Sequence, residues 1–149
     1  MAASAQTSEV LTVGAMCSAN AAGTVTVGDG PHCWAAPFEL NKEFGGRGWP
    51  AAVPPDARRR RSKGGARENT TLAVIATNAK LTKAQCKRLA IMAQTGMARA
   101  IYPVHTPLDG DVVFAASCGQ TALPDPLRSL TELGMVAAKG LARGIARGG

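Results

Sequence analysis

The segment TLAVIAT, residues 71–77, is a nearly continuous run of β-branched and apolar side chains, and Thr70 precedes it. Such a run predicts a strand that is buried on both faces. Thr82 and Gln85 then stand in the spacing of a capping box, which predicts the start of a helix. The chain is therefore expected to change from strand to helix shortly after position 77.

The rest of the chain repeats this order. The helix after Thr82 is expected to end before Pro103 and to carry its apolar side chains on one face. That face comprises Cys86, Leu89, Ala90, Ala93, Met97 and Ile101. Residues 112–116 predict a second strand, and Asp125 as N-cap with Pro126 at the first helical position predicts a last helix. This alternation predicts an α/β fold.

The chain before Thr70 has a different character. Short apolar runs alternate with Gly and Asn and predict strands joined by tight turns, at residues 10–17, 23–27 and 33–40. Residues 45–69 are rich in Gly, Pro and Arg without a periodic apolar face, which predicts an exposed, flexible linker. We therefore divide the chain into residues 1–69, which end in this linker, and residues 70–149.

Composition excludes two classes of protein. The 149 residues are 46% hydrophobic and 18% charged, which is unlike a disordered chain, and no apolar run predicts a membrane span. The start, residues 1–10, lacks the pattern of a secretory signal. The cysteines lack the paired spacing of a metal site, which predicts reduced thiols in a cytoplasmic protein without metal or cofactor. They are Cys17, Cys33, Cys86 and Cys118.

The formal net charge of +7 arises mainly from six basic residues between Arg58 and Arg67. A basic run can attract nucleic acid, so a nucleic-acid-binding module is one alternative function. The run contains no aromatic residue that could stack on a base, which argues against that alternative. We expect this segment to be a solvated loop, and we expect no nucleic-acid partner.

The boundary at Asn69 and Thr70 is the most informative point for function, because a polar loop enters a strand at a hydroxyl residue. A threonine there can attack its preceding carbonyl and become a new N-terminal residue, whose α-amine, with a pKa of about 8, can act as general base. Asp109 and Asp111 could orient that hydroxyl, bind a metal or form only a solvated turn. His105 is a candidate base, and a structural histidine is the alternative.

Four segments together resemble one family of hydrolases. They are VGAMCSANAAGTV (13–25), FELNKEFGGRG (38–48), ENTTLAVIATNAKLTKAQ (68–85) and ARAIYPVHTPLDGDVVFA (98–115). The family is that of the DmpA-type aminopeptidases, which includes L-aminopeptidase/D-esterases, β-peptidyl aminopeptidases and nylon-oligomer hydrolases. The resemblance implies part of a four-layer αββα sandwich of the N-terminal-nucleophile hydrolase type.

The resemblance also implies a site and a reaction. Cleavage falls between Asn69 and Thr70, and Thr70 becomes the nucleophile of an aminopeptidase or amide-oligomer hydrolase. Asp109 and Asp111 match the carboxylates that position it, and Asn20 matches the asparagine near the oxyanion. Substrates are peptides or amide oligomers, no cofactor is needed, and processed subunits form homo-oligomers.

One departure from the family pattern stands at the start of the chain. Family members carry a substantial N-terminal portion with a lysine that contributes to the site, and residues 1–11 do not match it. The chain therefore resembles the C-terminal part of such a hydrolase. An inactive remnant of the hydrolase is the second alternative function.

Overall fold

The computed structural model describes residues 1–6, 11–58 and 69–148, and these form one four-stranded sheet with two α-helices packed on it. The elements in chain order are β1 (Ala2–Gln6), β2 (Thr12–Asn20), β3 (Thr70–Ala79), α1 (Lys83–Ala98), β4 (Val112–Thr121) and α2 (Pro126–Ala146). The strands lie in the order β1-β2-β3-β4, with β3 and β4 parallel and the other neighbours antiparallel. The predicted strand–helix–strand–helix order after Thr70 is confirmed.

Strand β3 is half-buried, so the prediction that both of its faces are buried is wrong. Its side chains alternate between buried and exposed, with Ile75 fully buried while Leu72 and Val74 are 48% and 38% exposed. The physical reason is that α1 and α2 cover one face of the sheet, and the described residues leave the other face uncovered. Continuous apolar sequence alone does not reveal which layers cover a strand.

The two helices begin where the capping residues predict. The Thr82 hydroxyl accepts from the Gln85 amide at 3.2 Å, and the Gln85 side chain accepts from the Thr82 amide at 2.8 Å. Asp125 accepts from the amides of Leu127 and Arg128 at 3.1 Å each. These bonds satisfy N–H groups that a helix start leaves without an internal partner.

The core lies between the helices and one face of the sheet. Its largest side chains are fully buried, and they include Ile75 of β3, Leu89 and Met97 of α1, and Leu133 and Leu141 of α2. Many of the remaining core residues are alanines, which bring the backbones close together. Because successive side chains of a strand point to opposite faces, the residues between the buried ones lie on the uncovered face of the sheet.

Two of the strands predicted before Asn69 are wrong. Residues 23–27 and 33–40 form isolated pairings, Thr24 with Tyr102 and Thr26 with Cys33, together with a 3-10 helix at Ala36–Phe38. The tight turn predicted between them is present, and the Val27 amide donates to the His32 carbonyl across it at 2.8 Å. The segment pairs with the loop at Tyr102 and with itself, and within the described residues it has no neighbouring strand with which to form a ladder.

The linker prediction falls partly outside the described residues. Residues 59–68, which hold most of the basic run, are among those not described. In the part that is described, the Asp29 amide donates to the Asp56 carboxylate at 3.0 Å, and Ala57 is buried. The division of the chain at residue 69 stays a prediction. Within the described segments, no helix is both long enough and apolar enough to cross a membrane.

We call the face of the sheet opposite the helices the open sheet face. Its exposed large side chains are Met16, Leu72, Val74 and Phe114, and Phe114 is 59% exposed. In register, Val74 pairs with Met16 on one side and with Phe114 on the other, so these side chains form one continuous apolar patch. An exposed apolar patch of this kind marks a candidate contact surface.

Candidate active site

The peptide between Asn69 and Thr70 lies at the start of β3, beside the loop that leads into β4. Asn69 pairs with Asp109 in the parallel direction, its amide donates to the Leu108 carbonyl at 3.4 Å, and its carbonyl accepts from the Gly110 amide at 2.8 Å. The Thr70 hydroxyl donates to the same Asn69 carbonyl oxygen at 2.8 Å. The predicted nucleophile and the predicted cleavage point are therefore in direct contact.

The two adjacent threonines face opposite sides of the sheet. Thr70 shares the open sheet face with Leu72 and is partly buried, whereas Thr71 faces the helices and is fully buried. Among the described residues the Thr71 hydroxyl has no hydrogen-bond partner. Only Thr70 thus presents its hydroxyl to the carbonyl of Asn69.

Asp109 connects the loop before β4 to the segment that follows β2. Its carboxylate accepts from the Ala22 amide at 3.0 Å, and from the hydroxyl and amide of Thr106 at 2.6 Å and 3.2 Å. Burial raises the pKa of Asp109, but the hydrogen bonds from Thr106 and Ala22 outweigh it and hold that pKa below its usual value. Asp109 is therefore ionised at neutral pH, and its carboxylate fixes the loop by accepting these three hydrogen bonds.

Asp111 contacts the chain directly after Thr70, the predicted nucleophile. Its side chain is 1% exposed, and it accepts from the Thr71 amide at 2.7 Å and from the His105 amide at 3.1 Å. The His105 ring nitrogen Nδ1 lies 3.4 Å from the same carboxylate. His105 adopts a left-handed backbone conformation, with φ of 53°, that directs its amide to Asp111. Asp111 thus ties the start of β3 to the loop before β4.

Asn20 stands at the end of β2, directly opposite Thr70 in the antiparallel register. Its side chain is exposed on the open sheet face, the face that Thr70 shares. Residues paired in this way have Cβ atoms about 5 Å apart, close enough for an amide to reach the oxygen of an acyl group on the neighbour. The structure therefore brings all four predicted site residues to one end of the sheet.

Sequence reasoning missed three contributors to this site. Thr106 supplies two of the donors to Asp109, Ala22 supplies a third, and Gly110 donates to the carbonyl of Asn69. A Thr three residues before an Asp is a common turn pattern, so the sequence could have indicated the hydrogen bond between Thr106 and Asp109. Backbone donors such as those of Ala22 and Gly110 leave no side-chain signature.

The described residues hold no group of three or more His, Cys, Asp or Glu side chains arranged for a metal ion. The candidate site presents a hydroxyl, two carboxylates, a side-chain amide and backbone amides. Such a set of groups suits acyl transfer through a tetrahedral intermediate.

The fold is that of the N-terminal-nucleophile hydrolases. L-aminopeptidase D-Ala-esterase/amidase from Ochrobactrum anthropi, described as a new variant among that fold, superposes with a TM-score of 0.57 at 18% identity. The alignment covers 98% of this chain and 39% of that one.

The chain belongs to peptidase family S58, whose sequence profile matches residues 2–148. An uncharacterised aminopeptidase of Mycobacterium tuberculosis is 39% identical over 98% of this chain and 46% of its own length. A 6-aminohexanoate-oligomer endohydrolase of Paenarthrobacter ureafaciens is 36% identical over 38% of this chain and 16% of its own. The chain thus spans about half the length of the mycobacterial relative.

Proposed function

We propose that this chain carries the nucleophile of an autoprocessing amide hydrolase and that it cleaves itself between Asn69 and Thr70. The observation that carries the proposal is the 2.8 Å hydrogen bond from the Thr70 hydroxyl to the Asn69 carbonyl oxygen. A hydroxyl held against the carbonyl that precedes it is oriented for an N-to-O acyl shift. Membership of a peptidase family supports the same chemistry.

Cleavage makes Thr70 the N-terminal residue of a new chain. Its α-amine, with a pKa of about 8, then takes the proton from the hydroxyl of the same residue, as free N-terminal threonine nucleophiles do. Asn20, opposite Thr70, donates to the oxyanion of the substrate. Asp109 and Asp111 act as positioning residues, because neither carboxylate contacts a reacting atom. Asp111 accepts from the Thr71 amide next to the nucleophile, and Asp109 accepts from Ala22 and Thr106 and so holds the loop that carries Gly110.

The substrates we propose are peptides cleaved at their N-terminal residues, or short amide oligomers. Membership of the family, and the similarity to an aminopeptidase and to an amide-oligomer hydrolase, support this substrate class. Processed subunits are further proposed to assemble as homo-oligomers, a state that light scattering of the purified protein measures directly.

The active form is proposed to include a further segment packed on the open sheet face. Thr70 and Asn20 both lie on that face, so a layer placed there encloses the nucleophile and builds the substrate pocket. The length of the mycobacterial relative, about twice that of this chain, supports such a segment. In this arrangement the open sheet face becomes the interior of the four-layer sandwich.

Intact-mass spectrometry during incubation at neutral pH tests the proposal. The chain is incubated alone and together with a separately expressed segment that corresponds to the preceding half of the mycobacterial relative. We expect two fragments that meet at Asn69 and Thr70 in at least one condition, followed by hydrolysis of amide substrates.

Two variants control this experiment. Thr70→Ala is expected to stay uncut, and Thr71→Val is expected to cleave, because only the first removes the hydroxyl in contact with the carbonyl. Cleavage of Thr70→Ala at the same bond would refute the mechanism. A wild-type chain that remains intact in both conditions would refute self-cleavage of this chain and would favour the alternative of an inactive remnant.

A further inference from the structure

The amide of Gly110 donates to the oxygen that becomes negatively charged when Thr70 attacks Asn69. The hydrogen bond is 2.8 Å long and belongs to the pairing of Asn69 with Asp109, which extends the parallel pairing of β3 with β4. The donor is therefore fixed by the sheet before the reaction starts. A donor preorganised at the site of developing charge is the physical definition of an oxyanion hole.

We propose that the backbone N–H of Gly110 is the oxyanion donor for self-cleavage. The inference rests on the proposed function, since it concerns the same nucleophile and the same peptide bond. It assigns to this backbone group a part in self-cleavage separate from that of Asn20, whose side chain acts on substrate.

The absence of a side chain at position 110 lets both groups reach the carbonyl of Asn69 together. A Cβ atom built on Gly110 would lie 2.9 Å from the hydroxyl oxygen of Thr70 and 3.8 Å from the Asn69 carbonyl oxygen. Gly110 is not among the residues with positive φ, so an alanine there meets crowding and no backbone strain. A side chain at this position would therefore push the Thr70 hydroxyl from its place.

The flanking aspartates explain why the Gly110 amide keeps its direction. Asp109 anchors the loop on one side through Thr106 and Ala22. Asp111 anchors it on the other side through the Thr71 amide. A peptide group fixed on both sides does not have to reorient when charge develops nearby, and this is the condition for effective electrostatic stabilisation.

A bond forms between the Thr70 oxygen and the carbonyl carbon of Asn69, and an electron pair of the C=O bond moves to oxygen, beside the Gly110 amide. When that pair returns, the C–N bond breaks, and the proton lost by the hydroxyl ends on the nitrogen of Thr70. Water then hydrolyses the ester to the free hydroxyl and a carboxylate on Asn69.

Departure of Asn69 leaves the Gly110 amide next to the Thr70 hydroxyl. The carbonyl of a substrate that binds there takes the place that the Asn69 carbonyl occupied. The same donor then serves turnover, together with Asn20, so one backbone group acts in both reactions.

A backbone ester tests the role of the N–H directly. The full chain is assembled by ligation at Cys86 and Cys118, with an ester oxygen in place of the Gly110 N–H, and is folded under the condition in which the unmodified chain cleaves. We expect cleavage about 100-fold slower, the loss typical of removing one oxyanion donor. The control carries the same ester at Ala116, within the paired part of β4, and is expected to cleave like the unmodified chain.

A pair of alanine variants gives a second measurement by mutagenesis. Gly110→Ala is expected to slow cleavage because its Cβ displaces the Thr70 hydroxyl, while Gly140→Ala, whose Cβ would meet only the Ala15 side chain at 3.7 Å, should cleave normally. Circular dichroism verifies that each variant is folded.

The outcomes separate this inference from the proposed function. If the Gly110 ester cleaves as fast as the Ala116 ester, the oxyanion assignment is wrong and the proposed function stands. If the unmodified chain fails to cleave in every condition, the proposed function itself is wrong.

Discussion

Residues 70 and 71 show how one strand separates two identical side chains. Thr70 lies on the open sheet face with its hydroxyl on the Asn69 carbonyl, and Thr71 lies among the helices with no partner in the described part of the chain. Because successive side chains of a strand point to opposite faces, only one of the two can serve as nucleophile. The other is a buried polar group without compensation, which costs stability.

Thr71→Val is therefore expected to leave the free energy of unfolding unchanged or to raise it by about 1 kcal/mol, because no hydrogen bond is lost. The matched control is Thr77→Val in the same strand. The Thr77 hydroxyl donates to the Thr12 carbonyl at 2.8 Å and accepts from the Ala79 amide at 3.2 Å. Its removal is expected to cost about 1–2 kcal/mol in urea unfolding. A larger loss for Thr71→Val than for Thr77→Val would contradict this account.

The lowered pKa of Asp109 predicts a pH-dependent contribution to stability. Burial raises the pKa of Asp109, but the hydrogen bonds from Thr106 and Ala22 have the larger combined effect and lower it. The folded state therefore favours the ionised carboxylate. A group whose pKa is lower when folded stabilises the protein above its unfolded pKa, about 3.9, and loses this contribution as the pH falls through the folded value.

Thr106→Val is expected to lower the free energy of unfolding by about 1.5 kcal/mol at neutral pH, by removing a hydroxyl donor to a charged acceptor. The difference from wild type should shrink as Asp109 becomes protonated in acid. Urea unfolding at neutral pH and near pH 3 measures it. Thr131→Val, whose hydroxyl donates to a carbonyl on α2, is the control that should show no such pH dependence. An equal loss for Thr106→Val at both pH values would contradict the role given to Asp109.

At the scale of elements, α1 and α2 approach each other at a glycine. A Cβ on Gly96 of α1 would lie 2.0 Å from the carbonyl oxygen of Ala138 on α2. This contact explains why two helices rich in alanine and glycine can bury their faces against one sheet. Arg143 of α2 also holds the segment before the linker, through a hydrogen bond of 3.0 Å from its Nη2 to Glu43.

Gly96→Ala is expected to lower the free energy of unfolding by about 1–3 kcal/mol or more, because the helices must separate. Gly140→Ala on α2 is the control, since its Cβ would meet only the Ala15 side chain at 3.7 Å, an ordinary contact. Alanine has the higher helix propensity, so this control should be neutral or stabilising by up to about 1 kcal/mol. Equal effects of the two substitutions in thermal unfolding would show that the helix contact is not tight.

At the scale of the whole molecule, the proposed nucleophile and the apolar patch share one surface. Thr70 continues the row of Leu72 and Val74 on the open sheet face, and Asn20 continues the row of Met16. Any layer that covers the patch also encloses the site. Burial of the patch and assembly of the active site are thus proposed to be one event.

The triple variant Leu72→Thr, Val74→Thr and Phe114→Thr is expected to weaken binding of the preceding half of the mycobacterial relative at least tenfold. Burying these side chains stabilises an interface by about 1.5–3 kcal/mol each, so the loss should be large. Ile91→Thr, at an exposed apolar position of α1, is the control and should bind normally. Isothermal titration calorimetry measures the affinity, and equal binding by both variants would exclude the open sheet face as the contact surface.

The sequence by itself determined the elements after Thr70 and predicted the residues of the candidate site. Periodicity, capping residues and prolines are local signals, so β3, α1, β4 and α2 were predicted from short windows. The motifs around Asn20, Asn69, Asp109 and Asp111 indicated the family to which the chain belongs, and with it the candidate site residues. Their individual roles remain predictions.

Only the tertiary structure decided which side of each strand is covered and which backbone groups reach the site. The runs at 23–27 and 33–40 look like strands locally, but they lack neighbours with which to form ladders. Likewise, the apolar sequence of β3 does not indicate that the helices cover only one of its faces. The Gly110 amide reaches Asn69 only because β3 and β4 pair in parallel. Burial and backbone hydrogen bonds depend on residues far apart in the chain, and no local pattern records them.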